Sequence, residues 1–434
     1  MPRKPRNEDE DRPQPRIAGK TTYFLGAGFS AAAGIPTMPC FVREAFRLLK
    51  RYGPKSLCEE LARIVDKYRS IAAGPEINIE DIQELFSLVS GNHPKRPNKN
   101  NPDESKTLRA VIALTICFAE LEDRCRMDMM KNERSNLTVM KIIEKQIKHD
   151  DLLHNSHQNW KSQRTVPWRH LFPANEEINS VPRSQPFCGD LLNSCIYEAF
   201  FSYVLRRSKT IGEGEKADYA DVIVTPNYDL TVERAATNLQ YPCEIDCGEC
   251  FPLGQKIHKL KLVKLHGSLD WRLNKEKLET WKPLEQLHKA GESFEQFRIA
   301  DLKTVINEWG QIRIIPPTWQ YSESKGRHQT DVLFKSLRKD ALQHLREAER
   351  IVIVGYSMPK TDLHIKALMA HALDTPDRPA IEVWDIEEYE KMKERLENMF
   401  GKTLAATIEY DKGGRENGGL KGFVRKHPFI EKPE

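Results

Sequence analysis

Thr21-Thr-Tyr-Phe-Leu-Gly-Ala-Gly-Phe-Ser-Ala-Ala-Ala-Gly-Ile-Pro36 runs from a β-rich segment into glycines and then into small helix-forming residues. The order predicts a strand, a phosphate-type loop and a helix. Tyr23, Phe24 and Leu25 suit a buried parallel strand. Gly26 and Gly28, on either side of Ala27, permit a tight turn and a close backbone approach, and Ser30 to Ala33 can open a helix whose N-terminus faces a pyrophosphate. Two glycines after a strand also turn corners in proteins that bind nothing there, so this loop alone leaves both readings open.

Three later stretches carry the same grammar. Val222-Ile-Val-Thr-Pro-Asn-Tyr-Asp229 is a strand ending in polar groups, Leu262-Val-Lys-Leu-His-Gly-Ser-Leu-Asp-Trp271 reads as a strand ending in a histidine, and Ile351-Val-Ile-Val-Gly-Tyr-Ser-Met-Pro359 ends in glycine. In an open α/β sheet, ligand binds at the carboxyl ends of strands, where each run places its polar residues. Together with Gly26-Ala-Gly-Phe-Ser30 and Gly34-Ile-Pro36, these runs resemble the sirtuin family of NAD-consuming enzymes. That family's pattern is a Gly-Ala-Gly-x-Ser loop, an Asn-containing strand end and a His-Gly. The expected fold is therefore α/β: a doubly wound, Rossmann-like, mostly parallel sheet with an inserted helical module.

Composition bounds the rest. The chain has 434 residues, 39% hydrophobic and 30% charged, enough for one large α/β domain with helical additions. Its longest apolar run, Ala110 to Ala119, is too short to span a bilayer, and the N-terminus lacks the apolar core of a secretory signal, so a cytoplasmic protein with no membrane association is expected. A formal charge of +4, from 67 basic and 63 acidic residues, gives no sign of a polyanion binder, and direct nucleic-acid binding is not expected. Nine cysteines, an odd number, read as thiols rather than a disulfide framework.

Residues 1–18 are charged and Pro-rich, almost without apolar groups, and read as a disordered tail; the acidic Glu8 to Asp11 block offsets their basic residues. Residues 19–90 form the first part of the Rossmann-like domain. Within them Phe41 to Tyr52 and Leu57 to Tyr68 have helical spacing and are expected to cover the sheet, and Asn78 to Val89 is a third helix with Asn78 as its cap. Residues 91–215 form a mainly helical insertion, containing helices over Thr107 to Met130, Asn136 to His149 and Gly189 to Arg207. The remainder of the Rossmann-like domain spans 216–425, with a short strand at Ile312 to Trp319, a helix over Leu333 to Arg350 and a last strand at Ile381 to Asp385. Glycines beyond about residue 410 read as loose chain, with 426–434 as a terminal tail.

Asn227 and His266 are the candidate catalytic residues. An Asn side chain at a strand end can donate and accept together, orienting a ribose hydroxyl and a water. Its bland alternative is a turn residue beside Pro226. Histidine with its ordinary pKa near 6.5 can accept a proton from a ribose hydroxyl, and its bland alternative is a packed core side chain. The sirtuin resemblance implies the catalytic role for both. Ser268, His266 and Asp270 do not make a hydrolase triad, because neighbours two apart on a strand share a face without converging. Candidate dinucleotide-binding residues are Gly26, Ala27, Gly28, Ser30, Asp229, Gly355, Tyr356, Ser357 and Asp385, the last as an acceptor for the adenosine ribose.

Departures from the deacylase pattern sharpen the expectation. Thr225-Pro-Asn-Tyr-Asp229 stands where deacylases show Thr-Gln-Asn-Ile-Asp, and Gly34-Ile-Pro-Thr-Met38 lacks the Asp-Phe-Arg that usually follows Gly-Ile-Pro. Cys243, Cys247 and Cys250, with His258 behind them, precede the candidate histidine, whereas the deacylase zinc module follows it; no zinc is expected there, nor a metal at His154 and His157. What the resemblance implies is an NAD hydrolase that makes nicotinamide and ADP-ribose with NAD as substrate. Its branch serves prokaryotic anti-phage defence, as a homo-oligomer answering a defence-system partner or phage trigger. The rivals are an NAD-dependent protein deacylase and a non-catalytic NAD-sensing or interaction module.

Overall fold

Among the described residues ten strands organise the chain: β1 (Thr21–Leu25), β2 (Asp221–Thr225), β3 (Glu244–Asp246), β4 (Lys259–Lys264), β5 (Gly267–Asn274), β6 (Lys277–Thr280), β7 (Ile312–Ile314), β8 (Arg350–Val354), β9 (Ala380–Trp384) and β10 (Glu409–Tyr410). A computed structural model describes residues 19–53, 55–71, 78–91, 104–131, most of 196–204, 221–238, 244–246, 259–274, 277–280, 312–314, 329–359, 362–375, 378–411 and 418–427. Seven of the strands form one sheet in the order β10-β9-β8-β1-β2-β4-β3, and every pairing in it is parallel. From β1 the chain first builds one side of the sheet, running through β2 to the edge strand β3 and then back to β4 between them. It then returns to the other side of β1 for β8, β9 and β10. This is the doubly wound α/β fold expected from the strand–loop grammar, and it creates a switch point beside β1.

The strands read as apolar runs because both faces are covered. On one face Phe24, Val224, Ile351, Ile353 and Val383 lie under helices Gln329–Glu347, Leu363–Ala372 and Tyr389–Phe400. On the other, Tyr23, Leu25, Ile223, Val352 and Val354 meet Phe200 and Phe201, helix Thr231–Asn238 and helix Gly419–Lys426. That last helix overturns the expectation of loose chain beyond residue 410. Leu420, Phe423 and Val424 are buried, their helical spacing outweighing the neighbouring glycines.

A second core corrects another expectation. Helices Phe41–Tyr52 and Lys55–Ile71 do not cover the sheet; they pack with Ile82–Gly91 and Glu104–Lys131 into a separate helical cluster. Amphipathic spacing shows that a helix has a buried face, not which partner buries it. Glu104 lies in this seam and accepts from Arg63 Nη2 (2.9 Å), Lys67 Nζ (3.0 Å) and the Tyr68 hydroxyl (3.0 Å). Burial alone would raise its pKa, but these hydrogen bonds hold it below the usual carboxylate value. The third helix begins at Ile82 rather than beside Asn78, whose side chain accepts from the Glu80 amide and shapes a preceding turn. The Leu333 to Arg350 helix ends at Glu347, and Arg350 opens β8. The Asn136 to His149 reading lies outside the described residues.

The Leu262 to Trp271 run is two strands, not one. It leaves the parallel sheet after Lys264, turns through Leu265 and His266, and enters a three-stranded antiparallel sheet of order β6-β5-β7. Gly267 adopts φ 87°, which a side-chain-bearing residue seldom tolerates, so the strand change is fixed at the His-Gly pair. Leu269 and Ile314 of this small sheet join the helical core together with Tyr228 and Leu230, so both secondary units abut the loop after β2. Among the described residues no helix is long and apolar enough to cross a membrane.

Candidate functional site

The loops after β1, β2, β4, β8 and β9 all emerge at the carboxyl edge of the sheet, beside the switch point. The loop after β1 is locked onto the loop after β8. Gly26 N donates to Val354 O (2.9 Å), Gly28 N to Gly355 O (2.7 Å), and Gly355 N to Trp384 O (2.8 Å). Gly355 has φ 64°, and a Cβ there would lie 2.2 Å from Phe29 N; one on Gly26 would lie 2.5 Å from Tyr356 Cα. These glycines therefore allow two backbones to touch. Two of the amides expected to face a pyrophosphate, those of Gly26 and Gly28, are engaged with carbonyls of the protein itself. Ala27 is half-buried at the start of the one-turn helix Ala27–Ser30.

Asn227 is half-buried and tightly held. Its amide nitrogen donates to Gly26 O (2.8 Å) and to Ser30 Oγ (3.0 Å), while its backbone N–H donates to Thr225 Oγ1 (3.0 Å), which itself donates to Leu25 O (2.7 Å). Gly26 O can only accept, so the amide nitrogen must face it and the side chain cannot be flipped. Both amide hydrogens are thus in use. Among the described residues Oδ1 accepts nothing, which leaves Asn227 an oriented acceptor for a water or a ribose hydroxyl. Ser30, buried beneath it, fixes the amide plane.

His266 occupies the turn between β4 and β5 and is 3% exposed. The ring hydrogen-bonds to the Pro226 backbone and lies 6.0 Å, centroid to centroid, from Tyr228. Burial, followed by the positive fields of Arg338 and His364, pushes its pKa down to about 3. The ordinary pKa near 6.5 expected from sequence does not hold: the imidazole is neutral throughout the physiological range, a hydrogen-bond partner more than a strong base. Arg338 and His364 come from helices Gln329–Glu347 and Leu363–Ala372, and no local pattern marked either one. The loops bearing Asn227 and His266 are stitched together, Leu265 N donating to Thr225 O (2.8 Å) and Leu269 N to Tyr228 O (3.0 Å).

Other sequence-predicted positions have structural duties. Asp229 is buried, and its Oδ1 accepts from Thr231 N (3.0 Å), capping helix Thr231–Asn238. Tyr356 donates its hydroxyl to Asp362 Oδ2 (2.8 Å) within the core, burial first and the neighbouring carboxylate second raising its pKa. Ser357 is exposed, and its carbonyl accepts from Arg395 Nη1 (3.0 Å). Asp385 directly follows β9, with Oδ1 accepting from Glu387 N (3.0 Å); burial raises its pKa against the opposing pull of the Glu387 and Ile386 amides.

One residue that sequence reasoning missed is Lys264, whose ammonium is buried at the base of the site. Cys243, Cys247, Cys250, His258, His154 and His157 lie outside the described residues. Among the described residues no three metal-ligating side chains gather, and Cys40 and Cys58 are free thiols.

No protein-family model matches the sequence, and no curated protein matches it. Among solved structures the chain is similar to Sir2Tm bound to a propionylated peptide, at 11% identity and a TM-score of 0.31, covering 94% of this chain and 91% of that one. It is similar also to a Sir2 variant with a deacetylated peptide and 3′-O-acetyl ADP-ribose, at 10% identity and a TM-score of 0.30, with the same coverage. At these scores the likeness carries no argument; the sheet order and site geometry are the chain's own.

Proposed function

We propose that the protein cleaves the nicotinamide glycosidic bond of NAD with water as acceptor, releasing nicotinamide and ADP-ribose. The observation that carries this reading is Asn227. Its amide is immobilised by Gly26 and Ser30, and its remaining acceptor, Oδ1, sits at the sheet edge beside the turn that holds His266. An oriented acceptor suits a nucleophilic water or a ribose hydroxyl near an oxocarbenium-like carbon, where positioning supplies most of the rate. As the C1′–N bond breaks, its electron pair leaves with nicotinamide as the neutral base; the water oxygen bonds C1′ and releases one proton to solvent. Neutral His266 accepts a hydrogen bond from a ribose hydroxyl. Ala27, Ser30, Ser357 and Asp385 contribute to dinucleotide binding around the switch point.

The sirtuin resemblance of the Gly-Ala-Gly-Phe-Ser, Pro-Asn-Tyr-Asp and His-Gly motifs supports NAD as the substrate. On that reading the enzyme is an effector that depletes NAD in anti-phage defence, in the cytoplasm, as a homo-oligomer released by a partner or phage signal. Product chromatography with and without an acylated peptide tests the chemistry. ADP-ribose formation independent of peptide is expected. Acyl-ADP-ribose formed only with peptide would make the protein a deacylase, and tight NAD binding without turnover in any activated state would make it a sensor.

A further inference from the structure

Lys264 is the last residue of β4 and is 1% exposed, an unusual place for an ammonium group. Its Nζ reaches four acceptors on three elements. It donates to the Asp229 carbonyl in the loop after β2, to Ser268 Oγ (2.8 Å) on β5, and to Glu233 Oε1 (2.8 Å) on helix Thr231–Asn238, with the Tyr228 carbonyl farther away at 3.4 Å. An ammonium has three hydrogens, so the three short bonds saturate it and the fourth contact shares one. Tyr228 and Asp229 directly follow Asn227, while Lys264 and Ser268 flank His266 two residues away on each side.

We propose that Lys264 is the positioning residue of the site: one buried charge that fixes the Asn227 loop and the His266 turn relative to each other where the chain crosses from the parallel to the antiparallel sheet. Burying a lysine is costly, and an apolar side chain of similar length would fill the same volume without that cost. What methionine would not supply is three directed donors to backbone and side-chain oxygens of separate segments. The two backbone bonds between the loops set strand register, but neither reaches helix Thr231–Asn238. Lys264 adds that third anchor through Glu233, so the loop after β2 is held from below and from the side. The kinetic part of this proposal rests on the NAD-cleavage reading; the structural part does not.

The test uses Lys264→Met and, as the milder change, Ser268→Ala in the full chain, with two readouts. Amide hydrogen exchange is expected to rise at least about tenfold over residues 226–230 and 265–269 in Lys264→Met and less in Ser268→Ala, leaving β8 and helix Glu104–Lys131 at wild-type rates. For NAD turnover, kcat should fall about tenfold to a hundredfold with KM within about threefold, the pattern of misplaced groups rather than lost binding. Exchange that rises uniformly across the protein, or not at all, would overturn the proposal by reducing Lys264 to a general stability residue. If Lys264→Met does not fold, Ser268→Ala decides on the same criteria. Wild-type protein that leaves NAD intact, with loop exchange behaving as expected, would refute the NAD reading while leaving the clamp standing.

Discussion

The two halves of the sheet's carboxyl edge are built from similar motifs but differ in what they leave open. On the β8–β9 side, the amides of Gly26, Gly28 and Gly355, the Tyr356 hydroxyl and one oxygen of Asp385 are all engaged inside the protein. On the β2–β4 side, Asn227 is held just as firmly through its nitrogen but keeps an acceptor that no described residue uses, and His266 is kept neutral on the adjoining turn. Glycine and tyrosine motifs at a strand end can therefore be the means of bringing loops together. On the proposed function, the chemistry lies on the side where binding capacity remains after the fold has been satisfied.

The strongest way to break this contrast is Gly355→Ala. The added Cβ would meet backbone atoms of Gly28 and Phe29 and would sit at positive φ, so the loops after β1 and β8 must part. A loss of about 3 kcal/mol or more is expected, read as a large drop in Tm. A stable Gly355→Ala variant would show that the close approach is not what that glycine provides.

His266→Gln probes the other side through pH. Because the folded pKa lies near 3 against an ordinary 6.5, the unfolded chain binds a proton across that window which the folded chain does not. Stability should fall as pH drops from about 6.5 toward 3, with a contribution of about 1.4 kcal/mol per pH unit from this residue, and none above 6.5. Denaturant melts at pH 7.5 and pH 5 should show a shallower loss for His266→Gln than for wild type; an equal loss in both would mean that the ring already titrates normally in the folded state.

Tyr356→Phe sharpens the comparison with a smaller change. Removing the hydroxyl leaves Asp362 short of one hydrogen bond in the core and should cost about 1–2 kcal/mol, while NAD turnover at a temperature well below the melt stays within about twofold. Asp385→Ala is the mildest. If the oxygen not held by the Glu387 amide faces the adenosine ribose, wild type uses NAD well over NADP and the variant loses part of that preference. An unchanged ratio would leave Asp385 a turn-holding residue only.

Much of this was legible in the chain because strand ends announce themselves: an apolar run that stops at Gly26, Asn227 or Gly355 names both an element and an edge. What sequence hid were partnerships across distance. Lys261 pairs with Asp340 and Lys264 with Glu233, and no local spacing connects those positions. The His266 pKa was equally hidden, since desolvation and the fields of Arg338 and His364 come from the packing of remote helices. Helix Gly419–Lys426 does carry a local signal, the helical spacing of Leu420, Phe423 and Val424, which the surrounding glycines mask in sequence.

The most direct measurement is nicotinamide release from NAD by wild type, Asn227→Ala and Tyr356→Phe under activated conditions, with each variant's fold confirmed by its melt. Wild type and Tyr356→Phe are expected to release nicotinamide at comparable rates, and Asn227→Ala at least about a hundredfold more slowly. Asn227→Ala turning over at the wild-type rate would contradict the account, because the oriented acceptor on which the proposed reaction rests would then have no part in it.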